Sequence, residues 1–79
     1  MDLKQIEYIV KIDDEHSITR AAEKLFVTQS ALNQQLQKLE NELGIALFVR
    51  NRSDWQLTPA GEIYVRTARQ ILNLKKDAY

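Results

Sequence analysis

The chain has 79 residues, eleven basic side chains against eleven acidic ones, a single histidine and no cysteine. That length allows one domain with a modest core that a second chain would help to stabilise, while the missing thiols remove disulfides and thiolate metal sites and fit a reducing cytoplasm. A formal net charge of +0 argues against holding any polyanion by bulk electrostatics; no apolar run approaches the ~20 residues of a membrane span, and Met1 leads straight into an amphipathic pattern rather than a signal peptide.

Leu3, Ile6, Ile9 and Val10 recur at helical spacing over Asp2 to Ile12, with Asp2 as N-cap and the acidic run Asp13, Asp14, Glu15 as an exit loop. Ser17 or Thr19 caps a second helix through Ala21, Ala22, Leu25 and Phe26, where the paired alanines leave room for a crossing helix. Val27, Thr28 and Leu32 stand as N′, N-cap and N4 of a third helix, a hydrophobic staple around a threonine cap, and Gly44 closes it.

The third helix has two opposed faces. Counting 100° per residue from Gln29, Leu32, Leu36, Leu39 and Leu43 fall at about 300°, 340°, 280° and 320°, one narrow apolar stripe. Gln29, Asn33, Gln37, Ser30, Asn41, Gln34 and Lys38 spread over roughly 0° to 180°. All of these except Lys38 are neutral Asn, Gln or Ser, whereas a merely solvated face carries mostly Glu and Lys. A carboxamide offers a donor and an acceptor on one planar group, which matches the N6 and N7 edge of adenine in a major groove. Two short helices with such a face on the second describe a helix-turn-helix over about residues 17–43.

Ala46 to Arg50 and Trp55 to Leu57 are short β-compatible runs around Asn51-Arg52-Ser53-Asp54, which predicts a hairpin, a wing, over about residues 46–57 with Trp55 on its core side. Thr58-Pro59 supplies an N-cap and a proline at the first helical position for a last helix through Ala60, Tyr64, Thr67, Ala68, Ile71, Leu74 and Ala78. Tyr64, Thr67, Ile71, Leu74 and Ala78 follow a/d spacing, which fits either a core-facing helix or a dimer seam. Arg50, Arg52, Arg66, Arg69, Lys75 and Lys76 make this end of the chain locally positive.

No catalytic constellation emerges. His16 stands without a second His or any Cys to build a metal site or a nucleophile relay, and reads as a loop residue. The acid pairs Asp13-Asp14 and Glu40-Glu42 lack cleft-forming loops, so solvation accounts for them. The chain is read as a non-enzyme.

Taken together, SITRAAEKLFVTQSAL, QLQKLENELGIALFVR, and LTPAG leading into the long helix resemble the N-terminal winged helix-turn-helix domain of LysR-type transcriptional regulators, in register along the whole chain. The resemblance implies a mainly α fold: three helices and a two-stranded β wing as a DNA-binding domain over residues 1–58, then a linker helix over 59–79 on which two subunits dimerise. It further implies an effector-binding domain beyond residue 79, with small-molecule control and higher oligomers confined to a full-length protein and no cofactor in this chain. The implied function is sequence-specific DNA binding at an interrupted palindrome to regulate transcription, in the cytoplasm and away from membranes.

Carried over by position, Gln29, Ser30, Asn33 and Gln34 align with base and phosphate contacts and Arg50 and Arg52 with the wing, while the helix starts at Ser17 and Thr28 offer N–H groups to phosphates. Lys38 completes the DNA-facing set, and the implied dimer seam comprises Tyr64, Thr67, Ala68, Ile71, Leu74 and Ala78. Three departures from the family pattern bear on operator choice: Ser30 where proline is common, Asn33-Gln34 where serine-arginine is common, and Asp54 in the wing. Without an arginine at position 34 the helix lacks the best bidentate partner for guanine, so readout is expected to lean to adenine or to run through water. The rival readings are a protein-interaction module on the same scaffold, favoured by neutral charge, and an enzyme fragment, for which the residue inventory is empty.

Overall fold

A computed structural model describes residues 2–50 and 54–78, with side chains through Lys76. Helix α1 (Leu3–Glu15) opens in a capping box: the Asp2 carboxylate accepts the Gln5 N–H at 2.8 Å and Gln5 Oε1 accepts the Asp2 N–H at 3.3 Å. The acidic run is not a loop but the last turn of this helix, which ends at His16 in the left-handed conformation (φ 51°). Carboxylates at a helix C-terminus oppose its dipole, and here that cost is met by Arg69, whose Nη2 donates to Asp13 at 2.8 Å and to Asp14 at 2.7 Å.

Helix α2 (Ile18–Leu25) is capped by Ser17 rather than Thr19, the Ser17 hydroxyl accepting the Arg20 N–H at 3.1 Å. Ala21 and Ala22 are buried and let α1 and α2 pack closely. Phe26, which the apolar spacing places inside α2, instead ends it with φ 59° and stands 95% exposed, because the chain must turn there to start the next helix.

Helix α3 (Gln29–Leu43) begins at Thr28, whose hydroxyl accepts the Ala31 N–H at 3.0 Å, and ends at Gly44 (φ 72°). Leu32, Leu36 and Leu39 are buried as the wheel requires, but Leu43 lies at the rim, 40% exposed, one turn past the packing neighbours. The buried stripe joins Ile9, Ile12, Ile18, Leu47, Phe48 and Val65 in the main core.

The hairpin is antiparallel, β1 (Phe48–Val49) with β2 (Gln56–Leu57), pairing Phe48 with Leu57 and Val49 with Gln56. Both strands are shorter than the apolar runs suggest, because flanking backbone groups are committed elsewhere. Leu47 gives its N–H to Glu40 at 2.7 Å and Trp55 gives its N–H to the His16 carbonyl at 3.1 Å, while the Thr58 N–H, donating to the Leu47 carbonyl at 3.0 Å, carries the ladder one bond further. The predicted turn at Asn51 to Ser53 lies outside the described residues.

Helix α4 (Pro59–Ala78) is capped by Thr58, whose hydroxyl accepts the Gly61 N–H at 3.0 Å and donates to the Ala46 carbonyl at 2.7 Å. It lies along α1, where Ala68, Tyr64 and Ile71 pack on Ile6 and Val10 in a second, smaller cluster. Among the described residues no helix is long and apolar enough to cross a membrane.

Two positions in α4 yield predictions. A Cβ on Gly61 would sit 2.0 Å from the Leu47 carbonyl oxygen, so Gly61→Ala forces apart the α4 start and the hairpin; a loss of about 1–3 kcal/mol is expected in denaturant unfolding. The Tyr64 hydroxyl is buried without a partner among the described residues, and burial, aided by the Asp2 charge, pushes its pKa above the ordinary 10.0. The fold thus favours the neutral phenol, and stability is lost as pH rises past the unfolded value toward the folded one. Tyr64→Phe is expected to leave Tm equal or higher near neutrality and to blunt the decline above about pH 10.

Candidate nucleic-acid interface

The Thr28 cap makes Gln29 the first residue of α3, and burial of Leu32, Leu36 and Leu39 turns the opposite face outward. Gln29, Ser30, Gln34, Gln37, Lys38 and Asn41 are exposed there and Asn33 is half-buried beside them. This is a continuous field of amide donors and acceptors with little formal charge. Glu40 falls within it at about 20° on the same wheel. Its carboxylate is nonetheless turned away, taking the Leu47 N–H and the Arg50 guanidinium. Lys38 marks the far margin, lining an open polar hollow of about 270 Å³ with Asp2, Lys4, Gln5, Tyr8 and Gln35.

At the other end of α3, Thr19 of α2 donates its hydroxyl proton to Gln29 Oε1 at 3.0 Å. Sequence reading weighs Thr19 only as a cap; ten residues separate it from Gln29, and only the α2–α3 crossing brings them together. The Ser17 hydroxyl is spent on its own cap, so Ser17 contributes through the geometry of the α2 start rather than through a free side chain. The first amides of α2 and α3 have no acceptor within their own helices, as at any helix start.

In the wing, Arg50 Nη2 donates to Glu40 Oε1 at 2.8 Å and its guanidinium lies 5.6 Å from the Trp55 ring centroid. Trp55 meets Phe48 edge-on at 5.7 Å between centroids and packs on the main core, which agrees with the core-side reading of this residue. Arg50 is therefore held in place by the protein, with further N–H donors of its fork still unspent. Arg52 lies outside the described residues. Asp54 accepts from Gln56, and His16, in the turn that caps α1, sets Nδ1 3.3 Å from the Trp55 carbonyl. Among the described residues no cluster of His, Cys, Asp or Glu is arranged to hold a metal.

Part of the local positive charge at the C-terminal end is paired within the chain: Arg50 with Glu40, Arg69 with Asp13 and Asp14, and Lys75 with Glu7 at 2.9 Å. Burial works against the Arg69 charge, but the hydrogen bonds to Asp13 and Asp14 outweigh it and raise its pKa above the usual value.

On α4 the a/d spacing straddles two faces. Tyr64, Ala68 and Ile71 turn inward onto α1, and Ala68 is only 2% exposed, while Thr67 and Leu74 face out. Ile63, 63% exposed, belongs with this outer pair and escapes a heptad reading. The signal that finds it is the spacing 63, 67, 74, which keeps one side of an α-helix. The Ala78 side chain lies outside the described residues.

Comparison with known proteins places this geometry. The family model described as "Bacterial regulatory helix-turn-helix protein, lysR family" matches residues 3–62. The HTH-type transcriptional regulator BsdA of Bacillus subtilis (strain 168) is 42% identical over 79 residues, covering 99% of this chain and 27% of that protein. The HTH-type transcriptional regulator HdfR of Yersinia pestis (strain Pestoides F) is 41% identical over 73 residues, covering 92% and 25%. The chain thus spans about a quarter of the length of such relatives. Among solved structures, the BenM DNA-binding domain in complex with catB site 1 DNA superposes with a TM-score of 0.94 at 36% identity, covering 99% of this chain and 87% of that one. The CbnR DNA-binding domain–DNA complex superposes with a TM-score of 0.90 at 32% identity, covering 99% and 90%.

Proposed function

Since the chain belongs to the lysR family of bacterial regulatory helix-turn-helix proteins, a family of regulators rather than enzymes, we propose that it is a sequence-specific DNA-binding unit that controls transcription. The observation that carries the reading is the exposed amide face of α3 beginning at a capped N-terminus. Its width suits an α-helix laid in a major groove, and its chemistry suits base edges rather than bulk phosphate. The BenM and CbnR DNA complexes among the structural neighbours support the same partner.

In this proposal Gln29, Ser30, Asn33 and Gln34 meet base edges, with adenine favoured over guanine. The amide starts at Ser17 and Thr28, together with Lys38, Arg50 and Arg52, meet the phosphate backbone. Residues 1–58 form the DNA-binding domain and 59–79 the helix on which two copies pair, so that two recognition helices read an interrupted palindrome. Thr67 and Leu74, with Ile63, supply the outward face of that seam; Tyr64, Ala68 and Ile71 set the helix against α1, and Ala78 continues it. The reading needs no cofactor in this chain, assigns effector control and higher oligomers to a longer protein, and places the activity in the cytoplasm.

Selection from a randomised duplex pool at two salt concentrations tests the proposal. The wild-type chain is expected to enrich a dyad-symmetric motif rich in A·T pairs, and a folded Gln29→Ala, Asn33→Ala double variant to lose it. Because Arg50, Arg69 and Lys75 are paired within the chain, affinity is expected to fall only shallowly with salt, as for a few phosphates per subunit. No enrichment by a folded, dimeric sample would transfer the reading to a protein-interaction module, and enrichment that survives the double substitution would move base reading away from Gln29 and Asn33.

A further inference from the structure

We propose that Thr19 is a positioning residue for base readout: by donating its hydroxyl proton to Gln29 Oε1, it fixes which way the Gln29 carboxamide faces and so what that side chain recognises. The inference rests on the DNA-reading proposal and deepens it.

A glutamine amide can turn over by 180°, exchanging a carbonyl oxygen for an NH₂ group at nearly the same place. Presented oxygen-first, it matches the N6 or N4 amino groups of adenine or cytosine. Presented nitrogen-first, it matches the acceptor N7 of a purine. A free, exposed glutamine samples both and must give up that freedom on binding. Here Oε1 is held at 3.0 Å by Thr19, which leaves both Nε2 protons and one oxygen lone pair unspent. Gln29 is the first residue of α3 and Thr19 the second of α2, so both ends of the bond stand on capped helix starts rather than on loops. The side chain is thereby ordered before DNA arrives. Its NH₂ leads toward a purine N7, and the remaining oxygen lone pair stays available to an adenine N6 amino group. A hydroxyl that already donates to Oε1 polarises the amide and strengthens Nε2 as a donor.

Thr19→Val keeps shape and β-branching at an exposed position while removing the proton, and Thr19→Ser restores it. With the duplex that the wild-type chain enriches from a random pool, Thr19→Val is expected to weaken binding about three- to tenfold. The discrimination lost should lie at the base pair that Gln29 reads, with other positions unchanged. In a Gln29→Ala background the same change should have no further effect, and Thr19→Ser should recover most of the loss. Replacing the purine at that pair with its 7-deaza analogue should weaken the wild type but not Gln29→Ala. In the free chain, NMR should show the Gln29 side-chain amide signals shifting in Thr19→Val while backbone signals beyond α2 and the start of α3 stay in place.

A uniform loss of affinity with unchanged base preference, or additive Thr19 and Gln29 effects, would overturn the positioning role and leave DNA reading intact. A pool from which the folded wild type enriches nothing would overturn both.

Discussion

The junction at Glu40 and Leu47 is the contact on which the relative placement of helix, hairpin and linker depends. The Glu40 carboxylate, on the last turn of α3, takes the Leu47 N–H through one oxygen and the Arg50 guanidinium through the other. Leu47 is fully buried, and its carbonyl accepts the Thr58 N–H where α4 starts. One residue thus joins α3, the hairpin and α4. A charge-assisted bond to a partly buried carboxylate, as from the Leu47 N–H, contributes more than a neutral one, about 1.5–3 kcal/mol, whereas the solvent-exposed Arg50 pair adds at most about 1 kcal/mol. Because the Glu40 side chain is oriented by these bonds, a carboxylate that wheel position alone would put among the amides is kept from repelling phosphate across the recognition face.

That arrangement accounts for a DNA-reading surface with no net positive charge behind it. Three of the basic side chains hold the fold instead of adding to an electrostatic footprint: Arg69 closes α1 against α4, Lys75 reaches Glu7, and Arg50 braces the wing. What the chain presents instead is oriented hydrogen-bonding capacity on a rigid helix. Such a surface gains less from counterion release and more from correct base edges, so specificity is bought with weaker binding everywhere else.

Much of this was legible in the amino-acid sequence, and the parts that were not share a cause. Asp2, Ser17, Thr28 and Thr58 are caps whose chemistry acts within three residues, so local reading suffices for them. The Leu32, Leu36, Leu39 stripe is likewise a periodic, local signal. Tertiary partners are not local: the acidic end of α1 stays helical because of Arg69, fifty-six residues from Asp13, and the strands are short because Glu40 and His16 take backbone groups at their ends. The a/d positions of α4 fall on two faces for a different reason, since 3.5-residue spacing drifts across a straight helix and joins an inward face to an outward one. Phe26 shows the limit of hydropathy itself, an aromatic placed in solvent by the turn that the two-helix crossing demands.

Duplex DNA is proposed to meet the N-terminal amide face of α3. Titration of the isotopically labelled chain with a short enriched duplex, followed through side-chain amide NMR signals, addresses it most directly. The Gln29, Asn33 and Gln34 side-chain amides are expected to shift first and furthest, with Gln35 on the opposite side of the helix little changed. Perturbations confined to the outward faces of α1 and α4, with those three amides unmoved, would contradict it.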